Sequence, residues 1–171
     1  DSFWAQACKD LIVEYNELPY YKEVEHLGAC IGSYAQRVEK ISENTLHFNR
    51  YLNAKKQVKQ VFSAHSKPNF TNFCKIRKSD KSMPGIVSVV FDKPLAYYYD
   101  RLMLSKGPSL GNNFTLAMPY FYLAHWDLVN HDAGRKALLN LGLEPELLRI
   151  SIGLEPIDQL IGVFEKVFDN K

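Results

Sequence analysis

Residues 147–161, LLRISIGLEPIDQLI, decide how the chain is read. With the two-residue period of a strand, Leu148, Ile150, Ile152 and Leu154 point one way, and Leu147, Arg149, Ser151 and Gly153 the other. The first set is an unbroken apolar face. The second runs from a charge to a hydroxyl to bare backbone. Glu155-Pro156 then breaks the alternation, and Ile157, Leu160, Ile161, Phe164 and Phe168 recur at helical spacing. Pro156 suits the first helical position, where a missing N–H costs nothing, and Asp158 complements the positive end of the helix dipole. The stretch predicts strand, tight turn and helix, with one cation held on the strand.

The frame around it is ordinary. A chain of 171 residues, 46% hydrophobic and 23% charged, is long enough to bury a core as roughly one globular unit. Its 21 basic and 19 acidic side chains leave a net charge of +2, which gives no electrostatic reason to invoke nucleic acid or an anionic membrane. No apolar run approaches the roughly 18–20 residues that span a bilayer, and no signal-peptide pattern opens the chain. Cys8, Cys30 and Cys74 are odd in number, widely spaced and without a C-x-x-C pair. That pattern favours reduced thiols in a cytoplasmic setting and disfavours a zinc site. The chain opens at Asp1, without an initiator methionine, directly into an amphipathic helix, which reads as part of a longer polypeptide.

Outward from residues 147–161, the first fifty residues carry helical periodicity. Trp4, Cys8, Leu11, Ile12 and Tyr15 form one stripe, ended near Leu18-Pro19 because the residue before proline avoids the helical region. Val24, Leu27, Ile31, Tyr34, Ala35, Val38 and Ile41 form a second, extending through Leu46 and Tyr51 to Leu52, with Gly28 and Gly32 suggesting close packing. Residues 58–64 and 85–91 read as strands, the second buried on both faces. Residues 66–85 are a polar, basic surface excursion with about one helical turn. Residues 92–102 read as a short helix with Asp92 as cap and Pro94 in the first turn. Residues 101–107 are a third strand candidate, residues 108–120 a loop, and residues 122–143 one or two short helices.

The expected fold is α+β: a small, mostly antiparallel sheet of about four strands covered by helices on one face and preceded by long N-terminal helices. Residues 1–54 are a helical segment packing on the domain, and residues 55–171 the α+β domain itself. The chain contains neither G-x-G-x-x-G nor a G-K-[ST] phosphate loop, so nothing suggests a Rossmann unit.

Four stretches offer chemistry. Arg149, mounted on a strand beside Ser151 and Gly153, can hold a carboxylate through two parallel hydrogen bonds, and its small neighbours leave room for a ligand. Its alternative is an arginine paired with a nearby Asp or Glu, or one facing solvent at the sheet margin. The loop KGPSLGNNFTL offers the Ser109 hydroxyl and the exposed groups of Leu110, Asn112 and Asn113 to an anion, or is a plain turn. His125 and His131 lie six apart and do not share a helical face, which speaks against a metal. The basic run 74–82 lacks interleaved aromatics and reads as a solvated loop rather than a nucleic-acid surface.

LLRISIGLEPIDQLIGVFEKVF resembles the C-terminal signature of the pyridoxal-phosphate enzymes of transsulfuration, the cystathionine synthase and lyase family. PSLGNNFTLAMPYFYLAHW is similar to the family's S-L-G-G segment, and in its form S-L-G-x-N-F-T-L, then P-Y and L-A-H, is closest to the fungal-type cystathionine γ-synthases. QRVEKISENTLHFNRYL is similar to the family's helix with R-x-E-x-H-x-x-N-A, Glu39 and Asn44 matching and Ile41 replacing the histidine.

This resemblance implies the small domain of a fold-type I enzyme, in which Arg149 grips the substrate α-carboxylate and Ser109 lines the same pocket, with Leu110, Asn112 and Asn113 as further pocket residues. The implied activity is γ-replacement on activated homoserine, or β/γ-elimination, on sulfur amino acids. Pyridoxal phosphate would be bound by an upstream domain and not by this chain alone, since no S-x-x-K segment occurs here. No catalytic residue and no metal ligand is expected in the chain. The implied partners are an amino-acid substrate, the upstream cofactor-binding domain and identical copies in a homotetramer, with no nucleic acid and no membrane. Pro108 and Asn112-Asn113 depart from the usual pattern and leave the accepted side chain and the reaction open. The competing reading is a free-standing, non-catalytic binding or assembly module of the same fold.

Overall fold

The computed structural model describes residues 2–15, 19–67 and 69–169. In chain order its elements are α1 (Phe3–Tyr15), α2 (Tyr21–Ile31), α3 (Tyr34–Asn53), β1 (Val58–Phe62), α4 (Asn69–Ile76), β2 (Ile86–Phe91), α5 (Leu95–Tyr99), β3 (Ser105–Lys106), β4 (Leu116–Pro119), α6 (Tyr120–Ala124), α7 (Trp126–Val129), α8 (Asp132–Asn140), β5 (Leu148–Ser151) and α9 (Ile157–Phe168). They fall into two compact units, residues up to Ala35 and residues from Gln36 onward. The expected division at 54/55 lies within the second unit, because the C-terminal half of α3 buries Phe48 and Leu52 in its core.

In the first unit, α1 and α2 leave large apolar side chains exposed, Trp4, Ile12, Leu27 and Ile31 among them. The expected helix stop at Leu18 lies outside the described residues. The long second stripe is broken after Ile31, where Ser33 turns back on the end of α2: its amide and hydroxyl both donate to the Cys30 carbonyl, at 3.3 and 3.1 Å. Gly28 and Gly32 face open space, so neither serves close packing within the described residues.

The second unit is built on a five-stranded sheet ordered β1-β2-β5-β4-β3. Every pairing is antiparallel except β3 with β4. The strand missing from the expected four is β4. Residues 116–119 read as loop because four residues ending in proline carry almost no periodicity of their own, and pairing with β5 is what makes them a strand. Conversely, the candidate 101–107 contracts to Ser105–Lys106, since Leu102 still closes the turn of α5 by donating to the Tyr98 carbonyl at 3.0 Å.

Register puts Val87, Ile150 and Ala117 abreast across β2, β5 and β4, all fully buried. With Val89 and Leu148 they face α3 and α9, where Phe48, Leu160 and Phe164 close the core. Phe48 and Phe164 meet edge to face, with ring centroids 5.0 Å apart. Helix α9 starts one residue later than expected, with Pro156 as N-cap and Ile157 first in the helix. A smaller cluster on the opposite side joins Val90 and Leu147 to Phe121, Val129 and Leu138 of α6–α8. The segment 122–143 thus holds three helical pieces, the last capped by His131 Nδ1, which accepts from the Gly134 amide at 2.9 Å.

Asp92 does not cap α5. It accepts from the Tyr98 hydroxyl instead, while the Leu95 amide donates to Glu146 Oε2 at 2.9 Å. Glu146 Oε1 accepts from Tyr122 and from Arg135 Nη2 at 2.7 Å. One carboxylate therefore ties α5, α6 and α8 together. Burial pushes its pKa up, but the bonds from Tyr122, Arg135 and the Leu95 amide outweigh this and hold it below the ordinary carboxylate value. A carboxylate depressed on folding adds stability that is present above its unfolded pKa and lost as pH falls through the folded one. Glu146→Gln is therefore expected to lower stability at neutral pH and to flatten its decline in acid below about pH 4.5, read by urea unfolding across a pH series. Gly134 packs so closely on α7 that a Cβ would lie 2.2 Å from the Leu128 carbonyl oxygen. Gly134→Ala should cost about 1–3 kcal/mol in the same unfolding experiment.

Candidate functional site

Arg149 lies on β5, the middle strand of the five, between Ser88 of β2 and Met118 of β4. Its neighbours Leu148 and Ile150 are fully buried in the core, so strand alternation turns the guanidinium to the opposite face, where it is half-buried. Nη2 donates to the Pro108 carbonyl at 2.6 Å and lies 3.0 Å from Met118 Sδ. The guanidinium carbon stands 5.5 Å from the centre of the Tyr120 ring. Every one of these partners is neutral. Among the described residues the ion pairs join other side chains, and no Asp or Glu neutralises Arg149. The acid-paired alternative is not the arrangement found.

The loop carrying the other expected site residues is tied to the same strand. Pro108 holds Arg149, the Gly111 amide donates to Ser151 Oγ at 3.3 Å, and the Leu154 amide donates to the Asn113 carbonyl at 2.8 Å. Gly111 sits at φ +72°, a left-handed backbone that glycine adopts without strain, and this lets the loop double back onto β5. Ser109 is exposed, immediately after the carbonyl that Arg149 grips; Leu110 and Asn113 are exposed and Asn112 is half-buried. The segment that carries Ser109 thus meets Arg149 through the Pro108 carbonyl. The small side chains at 151 and 153 do not leave a vacancy as expected. Ser151 is covered, and a Cβ on Gly153 would lie 2.5 Å from the backbone of Phe114, so the chain's own loop fills the space.

Three further residues hold this arrangement. Asn44 of α3, 2% exposed, donates through Nδ2 to the carbonyls of Gly153 and Glu155 at 3.0 and 2.9 Å. Buried Thr115 accepts from the Gly153 amide through Oγ1 at 3.0 Å. Its own amide donates to Glu155 Oε1 at 2.5 Å. Asn44 was visible only through the family resemblance. Thr115 and Glu155 act on backbone atoms across the fold, which leaves no spacing signal. Glu39 is exposed on α3, and Ile41, in place of the family's histidine, packs its Cγ2 against Gly85.

Other candidate chemistry does not assemble. No group of three potential metal ligands exists among the described residues. A cavity of about 270 Å³ lined by Gln57, Asp92, Tyr97 and Phe168 shares no residue with the surroundings of Arg149. A lysine that captures an amine as a Schiff base works from a desolvated pocket. The described lysines are exposed apart from half-buried Lys55, which is paired with Glu165 at 2.5 Å. The described residues therefore do not fit the attachment site of pyridoxal phosphate.

No described helix is long and apolar enough to cross a membrane. The fold of the whole chain matches that of a cystathionine γ-lyase from Micromonospora echinospora, with a TM-score of 0.83 at 19% identity, covering 100% of this chain and 44% of that one. An O-acetylhomoserine sulfhydrylase from Wolinella succinogenes matches with a TM-score of 0.76 at 17% identity, over 97% of this chain and 44% of its own. By sequence the chain is 30% identical over 166 residues to an L-2-amino-4-chloropent-4-enoate dechlorinase/desaturase of Streptantibioticus cattleyicolor, covering 97% of this chain and 33% of the relative. It is 29% identical over 169 residues to the cystathionine gamma-synthase of Neurospora crassa, covering 97% of this chain and 26% of the relative. The chain thus spans about a third or less of the length of these curated relatives. The family model described as Cys/Met metabolism PLP-dependent enzyme matches residues 31–169, and the chain belongs to that family.

Proposed function

We propose that this chain supplies the substrate-carboxylate site of a pyridoxal-phosphate enzyme acting on sulfur amino acids or activated homoserine. Family membership supports the reaction class. One observation carries the residue-level reading: a half-buried guanidinium on the middle strand has only neutral partners, beside a loop that presents Ser109. A cation so placed is short of a negative partner, and a carboxylate supplies one. Arg149 takes the carboxylate through its fork of donors, Ser109 contributes its hydroxyl, and Tyr120 and Met118 hold the guanidinium plane. Fixing the α-carboxylate fixes the orientation of the bonds at Cα, and orientation of this kind lowers the barrier without any group of this chain entering the chemistry.

In this proposal an upstream domain holds the cofactor, and the whole protein is a cytoplasmic homotetramer catalysing γ-replacement or β/γ-elimination. Two observations support a larger assembly: the curated relatives run to about three times this length or more, and the helices of the first unit expose a series of large apolar side chains.

Arg149→Lys in the holoenzyme loses the two-pronged grip. Hydrogen bonds to charged groups contribute about 1.5–3 kcal/mol, so KM for the amino acid should rise about 10- to 100-fold. An unchanged KM in steady-state assays removes Arg149 from this role. Binding should likewise discriminate L-alanine from ethylamine, which lacks the carboxylate, and Arg149→Lys should abolish most of that preference in calorimetric titration.

A further inference from the structure

The turn that follows Arg149 is held from outside as much as from within. Gly153 has both of its backbone polar groups engaged by side chains distant in sequence, its carbonyl by Asn44 and its amide by Thr115. Glu155 returns from the same turn to the Thr115 amide, and Leu154 donates to the Asn113 carbonyl. None of these residues is a partner of the Arg149 guanidinium itself. The segment they fix, however, is the one whose start, Pro108, orients the guanidinium.

We infer that Thr115, with Asn44 and Glu155, forms a clamp of positioning residues that sets the loop bearing Pro108 and Ser109 in register with Arg149, and so sets affinity for the substrate carboxylate. This rests on the proposed role of Arg149 as the carboxylate site. The physical case is one of tolerance. A two-pronged pairing demands angle as well as distance, and a shift of about 1 Å in a supporting element is enough to spoil it. The two bonds to Gly153 are buried, directional and anchored on backbone, so they transmit position rather than merely add stability. With Gly153 already in contact with Phe114, the turn cannot drift toward the loop to compensate for a lost bond.

Thr115→Val keeps the volume and removes the acceptor for the Gly153 amide, and Thr115→Ser keeps the acceptor. In the holoenzyme, Thr115→Val should raise KM for the amino acid about tenfold and leave kcat within about twofold, while Thr115→Ser should stay near wild type. Amide exchange at Gly153 and Leu154 should speed up in the valine variant only. Combined with Arg149→Lys, Thr115→Val should add little, because the angle it protects no longer matters. Glu155→Met, which keeps the length and removes the oxygen that the Thr115 amide donates to, should raise KM in the same direction and serves if the valine variant does not fold. A KM raised by Arg149→Lys but unmoved by Thr115→Val and Glu155→Met overturns the clamp alone. A KM unmoved by Arg149→Lys overturns the carboxylate site itself.

Discussion

The bonds to Gly153 are where three parts of the second unit meet. Asn44 reaches it from α3, Thr115 from the segment leading into β4, and the residue itself lies just past the end of β5. An amide and a carbonyl buried without partners would each cost about 1–3 kcal/mol, so the turn is stable only while both side chains are in place. The absence of a side chain is equally required, since the Phe114 backbone lies where a Cβ would go. Helix α9 can begin at Ile157 and lay Phe164 on the sheet because this turn delivers the chain to it at a fixed point.

The two faces of the sheet divide the work. Val87, Ile150 and Ala117 on one side make an apolar contact surface whose value lies in area and fit. On the other, Ser88, Arg149 and Met118 lie abreast, Met118 buried and the other two partly open, with the α6–α8 cluster gathered at the end marked by Val90 and Leu147. The central strand is rigid because its core face is packed on α3 and α9, and that rigidity is passed to whatever its opposite face presents.

Legibility followed the range of the forces. β5 and α9 could be read because each carries its own periodicity, and Arg149 stood out as a charge within that apolar pattern. β4 could not, since residues 116–119 are a strand chiefly through distant partners, at Leu148–Ser151. The start of α5 differs from expectation for a similar reason: Asp92 has the right spacing, but Glu146, distant in sequence, fills the place. At the site, Arg149 and Ser109 were both named from the sequence, and the structure brings their segments together. Thr115 and Glu155 were not, because a side chain that bonds to backbone far along the chain leaves no motif. The room expected beside Arg149 is filled for the same reason, its occupant being the loop itself.

Arg149 also bears on the energetics of the fold. A cation withdrawn partway from water and met only by a carbonyl, a thioether and a ring is solvated less well than it would be in the unfolded chain. Any small anion that seats against it binds the native state alone, so by mass action it raises the melting temperature in proportion to the logarithm of its concentration once the site is saturated. The buffer's own carboxylates would then act as folding ligands, and thermal stability would follow the kind of anion present rather than ionic strength.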